Sequence, residues 1–401
     1  MITFLFPFSE VGGVPALFYR VGSELQRRGR PVRCIGRNDG VLHSLLAESG
    51  AELVGLDSLT EDWIAKHVSA DDVLVFTGWV PELRKFARVN PRCLLWNVFP
   101  LTLPYSNRVV CGWILHRRNR RLIELLTRRH GLMLMDDAPF EWLKRYGFGS
   151  PTELLVPIPV SSKKVPSEPI RTVKDSSFFN IAFIGRAVDW KLFPLLRVLE
   201  DVQRLRTSRR PRIFVVTDDE RRVVDFLREQ GWTSDLGLVV KVNLTLDGVG
   251  ELLDSTIELN IGMGTSCLEG GALKIPTLLI DPASSRIDKP AVYRWLYETR
   301  NFNLGHFDQV PGANGGVELG PVVNRLCDDS SYYEEVADHC YQYVCSHHDL
   351  DAVASIFEAR ADQTELTVAE CVRLVYSYSR CYRLYREARA ALRFMGRWRR
   401  P

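Results

Sequence analysis

The stretch that decides the fold reads Gly262-Met-Gly-Thr-Ser-Cys-Leu-Glu-Gly-Gly-Ala-Leu-Lys-Ile-Pro276. One apolar run, Ile257–Ile261, leads into it and another, Thr277–Ile280, follows it. Between them lie a glycine turn, a helix start of small residues, an acid one turn in, and a Lys-Ile-Pro stop. The pattern predicts strand, glycine turn, helix, strand. It sets the free backbone N–H groups of a helix N-terminus at the carboxyl end of a strand, a common way to hold a diphosphate.

The same alternation recurs on both sides. Strands are expected at Asn180–Ile184, Ile213–Val216 and Leu238–Val242, with helices over Lys191–Arg206, Arg221–Gln230 and Gly248–Ser255. Upstream, Ile2–Phe6, Pro31–Ile35, Glu52–Gly55, Val73–Phe76, Cys93–Trp96, Leu132–Met135 and Glu153–Val156 read as strands. Ala16–Arg28, closed by Gly29, and His43–Glu48 read as helices. Downstream, Asp288–Thr299 and Ser331–His347 read as helical, and His348–Arg360 opens a helix that Asp349 or Asp351 would cap. Strands alternating with helices imply parallel sheets covered on both faces. Pro157, Pro159, Pro166 and Pro169, with Ser161-Ser-Lys-Lys164 among them, mark a linker. The expected fold is α/β, with two Rossmann-like, doubly wound domains. Their bounds are 1–160 and 179–347, joined by a linker at 161–178 and followed by C-terminal helices at 348–401.

Composition narrows the function. A chain of 401 residues suits two cores, and 46% hydrophobic with 25% charged residues is ordinary for a globular protein. A net charge of +3 does not describe a nucleic-acid-binding polycation, and no basic loop with interleaved aromatics stands in the core. The nine cysteines are scattered with no C-x-x-C pair, which supports neither a zinc knuckle nor a disulfide framework and fits a reducing cytoplasm. Met1–Pro7 is too short for a signal peptide, and no run reaches the length of a membrane span.

Three blocks resemble a known family. Gly12-Gly13 after the first strand, with the helix ending Glu24-Leu-Gln-Arg-Arg-Gly29, is similar to its N-terminal glycine loop. Phe183-Ile-Gly-Arg186, then Lys191, is similar to its glycine-arginine…lysine motif. Leu268-Glu-Gly-Gly-Ala272, then Ile275-Pro276, is similar to its leucine-glutamate-alanine block with a trailing proline. In this order, over about residues 1 to 360, the chain resembles GT-B nucleotide-sugar glycosyltransferases. Met263-Gly-Thr-Ser-Cys-Leu-Glu269 resembles the group 1, or family 4-like, members that assemble bacterial polysaccharides. The resemblance implies a nucleotide-diphosphate sugar as donor substrate between the domains, with no further cofactor and no metal. It also implies a glycan or lipid-linked acceptor. Retaining members carry two glutamates separated by seven residues; Glu269 matches the second, but Ile261 stands where the first would fall and Glu258 is at the wrong spacing. That departure leaves the anomeric outcome open.

Each candidate residue has a plainer reading beside its functional one. Arg186, at a strand end, and Lys191, at the next helix start, would neutralise a diphosphate leaving group as its charge develops. The plainer reading is a surface ion-pair partner and a solvated lysine, although a cation at a helix N-terminus opposes the macrodipole unless an anion joins it. Gly264, Thr265 and Ser266 would offer N–H and hydroxyl donors to phosphate, or form an ordinary N-cap. Glu269 would accept the two ribose hydroxyls of the nucleotide, or close a capping box on Ser266. Gly12 and Gly13 allow close backbone approach, and Glu10 beside them is a candidate base. Asp136-Asp137 suits a helix cap, a base or a metal; His116 and His130 read as surface residues and His347-His348 as a remote metal candidate. Trp79 and Asn97 occupy strand ends facing the expected cleft. Base recognition is expected near Thr217-Asp-Asp219 and Lys241–Thr245.

The tail is separate. Leu374, Tyr378, Cys381, Tyr385, Ala388, Leu392 and Met395 form one helical stripe, with arginines off it and Trp398-Arg-Arg400 at the end. It suits an anionic membrane surface, hence a cytoplasmic protein peripheral at the inner face, or equally a helix docked on protein. The leading reading is a glycosyltransferase; a nucleotide-sugar epimerase and a non-catalytic partner on the same fold remain alternatives.

Overall fold

A computed structural model describes residues 1–9, 12–98, 112–161, 177–233, 237–287, 292–305 and 316–376, with backbone alone for 112–118, 141, 246 and 376. The first half runs β1 (Ile2–Phe6), α1 (Gly13–Arg27), β2 (Val32–Gly36), α2 (Val41–Leu46), β3 (Glu52–Gly55) and α3 (Glu61–His67). It continues with β4 (Val73–Phe76), β5 (Arg92–Asn97), α4 (Gly112–Arg128), β6 (Leu132–Leu134) and α5 (Phe140–Arg145). The second half runs β7 (Phe178–Ile184), α6 (Asp189–Gln203), β8 (Arg210–Thr217), α7 (Glu220–Glu229), β9 (Gly237–Val242) and α8 (Leu246–Thr256). Then come β10 (Leu259–Gly262), α9 (Thr265–Ala272), β11 (Thr277–Leu279), β12 (Arg294–Trp295), α10 (Leu319–Asp328), α11 (Ser330–His347), α12 (Leu350–Gln363) and α13 (Val368–Tyr376).

The two sheets repeat one topology. The first has the order β3-β2-β1-β4-β5-β6 and the second β9-β8-β7-β10-β11-β12. All pairings are parallel except β11 with β12. The strands are apolar on both faces because helices cover both. Phe4, Val75 and Leu94 point into one core cluster, and Leu5, Leu74, Phe76 and Leu95 into another. In each sheet the winding reverses between the first and fourth strands, which opens a crevice at their carboxyl ends.

The chain passes between the halves twice, and the two crossings touch. The Val160 N–H donates to the His348 carbonyl at 2.8 Å. Beyond that point α12 lies on the first half: Phe357 is fully buried between Phe4 and Trp96, at ring-centroid distances of 5.8 and 5.3 Å. Burying such a side chain contributes about 1.5–3 kcal/mol. The Cys93 N–H, which donates to the Leu366 carbonyl at 2.7 Å, ties the segment before α13 to β5. The Asp349 side chain caps α12 by accepting the Ala352 N–H at 3.0 Å. Most of the expected linker, residues 162–176, lies outside the described residues, as do 377–401, which hold most of the tail stripe.

Two local expectations need correction. Glu153–Val156 is not a strand: Thr152–Leu154 forms a 3-10 turn, and a single bridge joins Leu155 to Leu134. Pro151 and Pro157 flank it, and neither has an N–H for a ladder. Residues 288–291 of the expected helix Asp288–Thr299 lie outside the described residues; the rest holds a two-residue strand, Arg294–Trp295, and a 3-10 turn at Leu296–Glu298. Bulky residues there pair with β11 and form the sheet's edge, and Tyr293 exchanges two hydrogen bonds with Val317. Helix α10 was not expected at all.

Candidate active site

The loop after β7 begins at Gly185, where the Lys191 side chain folds back over the backbone. A β-carbon on Gly185 would lie 2.8 Å from Lys191 Cδ, so no other residue leaves Lys191 this path. The Gly185 N–H donates to Val216 O at 3.0 Å and the Ala187 N–H to Asp218 Oδ1 at 2.7 Å, which fixes the turn. Lys191 sits in the first turn of α6, with its Nζ 5.3 Å from the Trp190 ring centre. The residue keeps some exposure, yet its ammonium is crowded by protein. Desolvation, and then repulsion from Arg186, lower its pKa to about 8 from 10.5. A cation held at such a cost at a helix N-terminus is poised for an anion.

The loop after β10 supplies the amides. Gly264 is the N-cap of α9 and adopts φ 69°, ψ −144°, a conformation open to glycine and costly for other residues. Its N–H donates to Leu304 O at 3.0 Å. Thr265 and Ser266 follow in the first turn, and Ser266 Oγ donates back to Met263 O at 3.2 Å. Gly270 and Gly271 let α9 lie close: β-carbons there would come within 2.6 Å of Asn260 Nδ2 and of Leu296 Cδ2, respectively.

The first half meets these loops across the crevice. A β-carbon on Gly12 would lie 3.7 Å from Arg186 Cζ, and one on Gly13 3.3 Å from Thr265 Oγ1. Gly12, Gly13, Arg186, Lys191 and Thr265 therefore surround one place, with Gly264 and Ser266 at its edge. Glu269 does not close a capping box, because its carboxylate pairs with Arg20 of α1. Ile261 is fully buried in β10 between Phe183 and Leu278. Glu258 stands at the opposite end of that strand, paired with Arg209 at 2.7 Å and accepting the Asn180 N–H at 3.1 Å.

Other candidates fall elsewhere or into structural roles. Glu10 lies outside the described residues, and His116 among those described by backbone alone. His348 is fully buried at the crossing, with Nδ1 2.7 Å from Ile158 O and Nε2 3.4 Å from the Tyr343 hydroxyl. Burial lowers its pKa to about 4. Asp219 caps α7 and Thr245 caps α8, by accepting the N–H groups of Arg222 and Gly248. Beside them an open cavity of about 610 Å³ is lined by Asp218, Asp219, Arg221, Val242 and Asn243. Trp79 packs on Phe76 at 5.4 Å between ring centres. Asn97 is 2% exposed, with neither side-chain polar atom hydrogen-bonded among the described residues.

Sequence reasoning missed two contacts between the halves. Arg20, with Glu24, is a charged residue on the apolar stripe of α1, and that misfit was the available signal. Asp137 accepts Asn301 Nδ2 at 3.0 Å and Asn303 Nδ2 at 2.7 Å. These asparagines precede Leu304, which holds the Gly264 N–H, so the first half braces the glycine turn of the second. The left-handed φ of Asn301 and Phe302, 49° and 63°, makes that loop unusual, and no residue type there announces it.

No protein-family model matches the sequence, and no curated protein matches it. Solved structures do match. Anabaena HepE in complex with UDP-glucose aligns with a TM-score of 0.58 and 14% identity, over 89% of this chain and 98% of that one. A glycosyltransferase from Rickettsia africae aligns with a TM-score of 0.56 and 12% identity, over 90% and 98%. A mutant of S. aureus TarM, in complex with Fondaparinux, alpha-GlcNAc-glycerol and UDP, aligns with a TM-score of 0.57 and 8% identity, over 90% and 99%. At these identities the likeness is one of fold. With two sheets of one strand order facing a glycine-lined crevice, and with this likeness over nine-tenths of its length, the chain has the GT-B fold.

Proposed function

We propose that this protein is a glycosyltransferase that moves a sugar from a nucleoside-diphosphate donor to a glycan or lipid-linked acceptor in bacterial surface polysaccharide synthesis. The observation that carries the reading is the convergence of Arg186, Lys191 and the start of α9 opposite Gly12 and Gly13. As the bond from the sugar's anomeric carbon to the β-phosphate oxygen breaks, negative charge grows on the diphosphate. Arg186 and Lys191 stabilise it as fixed cations, and the amides of Thr265 and Ser266, which the Gly264 turn aims at the crevice, add aligned donors. Those groups ask for no metal or cofactor beside the donor. Glu269 holds the ribose. The cavity beside Asp218 and Asn243 takes the base, and the crevice side of the first half takes the acceptor. The basic stripe after Tyr376 lies along an anionic inner-membrane surface, close to a lipid-linked acceptor. Among the described residues no helix is long and apolar enough to cross a membrane.

A thermal-shift panel of nucleoside diphosphates tests the donor site, since a ligand of the folded state raises the melting temperature by mass action. One base should stand out, and its sugar nucleotide should be consumed only with an acceptor present. Turnover of the sugar nucleotide alone into an epimer, or no shift with any base, would defeat the reading.

A further inference from the structure

Arg20 is 8% exposed on the buried stripe of α1, and among the described residues its carboxylate partner is in the other half. Nη1 donates to the Pro159 carbonyl at 3.1 Å, in the segment where the chain leaves the first half. Nη2 pairs with Oε1 of Glu269 in α9 of the second half. Glu269 is 28% exposed at its side chain, and its Oε2 has no hydrogen-bond partner among the described residues. A guanidinium fixed on one side by a carbonyl is a rigid fork for the carboxylate on the other. It sets the rotamer of a glutamate that would otherwise swing, and it leaves one oxygen free.

We propose that Arg20 is a positioning residue for Glu269, holding the carboxylate so that its free oxygen accepts the ribose hydroxyls of a bound nucleoside diphosphate. The inference rests on the nucleotide reading above. Ribose recognition then belongs to both halves at once: α9 supplies the acceptor and α1 its orientation. A mere fastening between the halves would give the same ion pair, but it would not distinguish ribose from deoxyribose.

The test is calorimetric titration of the full-length protein and its Arg20→Met, Arg20→Lys and Glu269→Gln variants. The probes are the nucleoside diphosphate with the largest thermal shift, its 2′-deoxy counterpart, and inorganic pyrophosphate. A site built to bond a hydroxyl rejects the analogue lacking it, so the wild type should prefer the ribonucleotide by about tenfold or more. Arg20→Met should bring that ratio to about one, Arg20→Lys should restore part of it, and pyrophosphate should bind all four proteins within about twofold. Should Arg20→Met fail to fold, Arg20→Lys and Glu269→Gln carry the comparison. A ribose preference kept in Arg20→Met, or lost only in step with pyrophosphate affinity, overturns the proposal and leaves the nucleotide reading standing. Failure of every nucleoside diphosphate to bind the wild type overturns that reading and this inference with it.

Discussion

In each half the first and fourth strands flank a crevice, β1 with β4 and β7 with β10, yet the loops after them differ in kind. After β7 come Gly185, Arg186 and then Lys191; after β10 comes Gly264, which turns the chain into the eight-residue helix α9. After β1 come Gly12 and Gly13, with no cation among the described residues of that loop. After β4 come Thr77, Gly78 and Trp79, followed by a 3-10 turn at Pro81–Ala87 rather than an α-helix. Topology makes a crevice in both halves, but among the described residues of these loops only the second half lines it with cations. The other half contributes shape through its glycines, and carboxyl groups through Asp136 and Asp137 beyond β6.

The sharpest way to break this comparison is to discharge the equipped side. Arg186→Ala and Lys191→Ala should each weaken nucleoside-diphosphate binding by about 10- to 100-fold, the worth of a charge-assisted hydrogen bond. Titration checks this, and a dissociation constant unchanged in both variants ends the anion assignment. The glycines give a second contrast. Gly264→Ala forces a side chain into φ 69°, ψ −144° and should cost about 1–3 kcal/mol of stability. Gly12 is extended at φ 167°, and a β-carbon there meets Arg186 at an ordinary 3.7 Å. Gly12→Ala should therefore change stability by less than about 0.5 kcal/mol. Denaturant melts measure both, and equal losses would erase the distinction between the two loops.

Protonation sharpens the comparison further. The pKa of Lys191 is about 8 in the folded chain against 10.5 unfolded, so between these values the unfolded chain holds more protons. Stability of the free protein should then rise with pH across that window. A diphosphate bound beside it should return the proton to Lys191. Binding at pH 8 should take up about half a proton, and affinity should fall by up to about tenfold per pH unit above it. Calorimetry in two buffers of different ionisation enthalpy reads the uptake. Lys191→Met should abolish it, and equal heats for the wild type would refute the coupling.

What the sequence disclosed follows from how local each signal is. Gly185, Arg186, Gly264 and the strand–helix alternation lie within a few residues of what they act on, so they were legible. Strand order was not, because parallel strands buried on both faces are uniformly apolar and carry no register. Glu269 was ambiguous, since capping boxes and ligand acids share one spacing. Its partner Arg20 lies 249 residues away in the chain, and that pairing takes the carboxylate that a capping box would need. Asn301 and Asn303, which brace Gly264 against Asp137 from 164 and 166 residues away, were hidden for the same reason. Arg294–Trp295 was misread because two residues are too few to show a period.

The smallest expected effect lies on the opposite wall. The second half lowers the pKa of a cation by enclosing it, and the first half raises that of an acid by the same physics. Asp136 is 6% exposed, and burial lifts its carboxyl from 3.8 to about 7. The Ala138 N–H at 3.0 Å opposes the rise and the charge of Asp137 adds to it. Between 3.8 and 7 the folded chain holds the extra proton, so stability from this group falls as pH rises through that window. Asp136→Asn should remove the slope. It should melt level with the wild type at acid pH and about 5 °C or less above it at neutral pH. If Asp136 also takes the acceptor's proton, its ionised form is the active one. Then kcat/KM of the wild type should climb through pH 7, whereas the variant should be slow at every pH. Parallel melting curves for the two proteins would show that Asp136 ionises freely, and the symmetry between the walls would be lost.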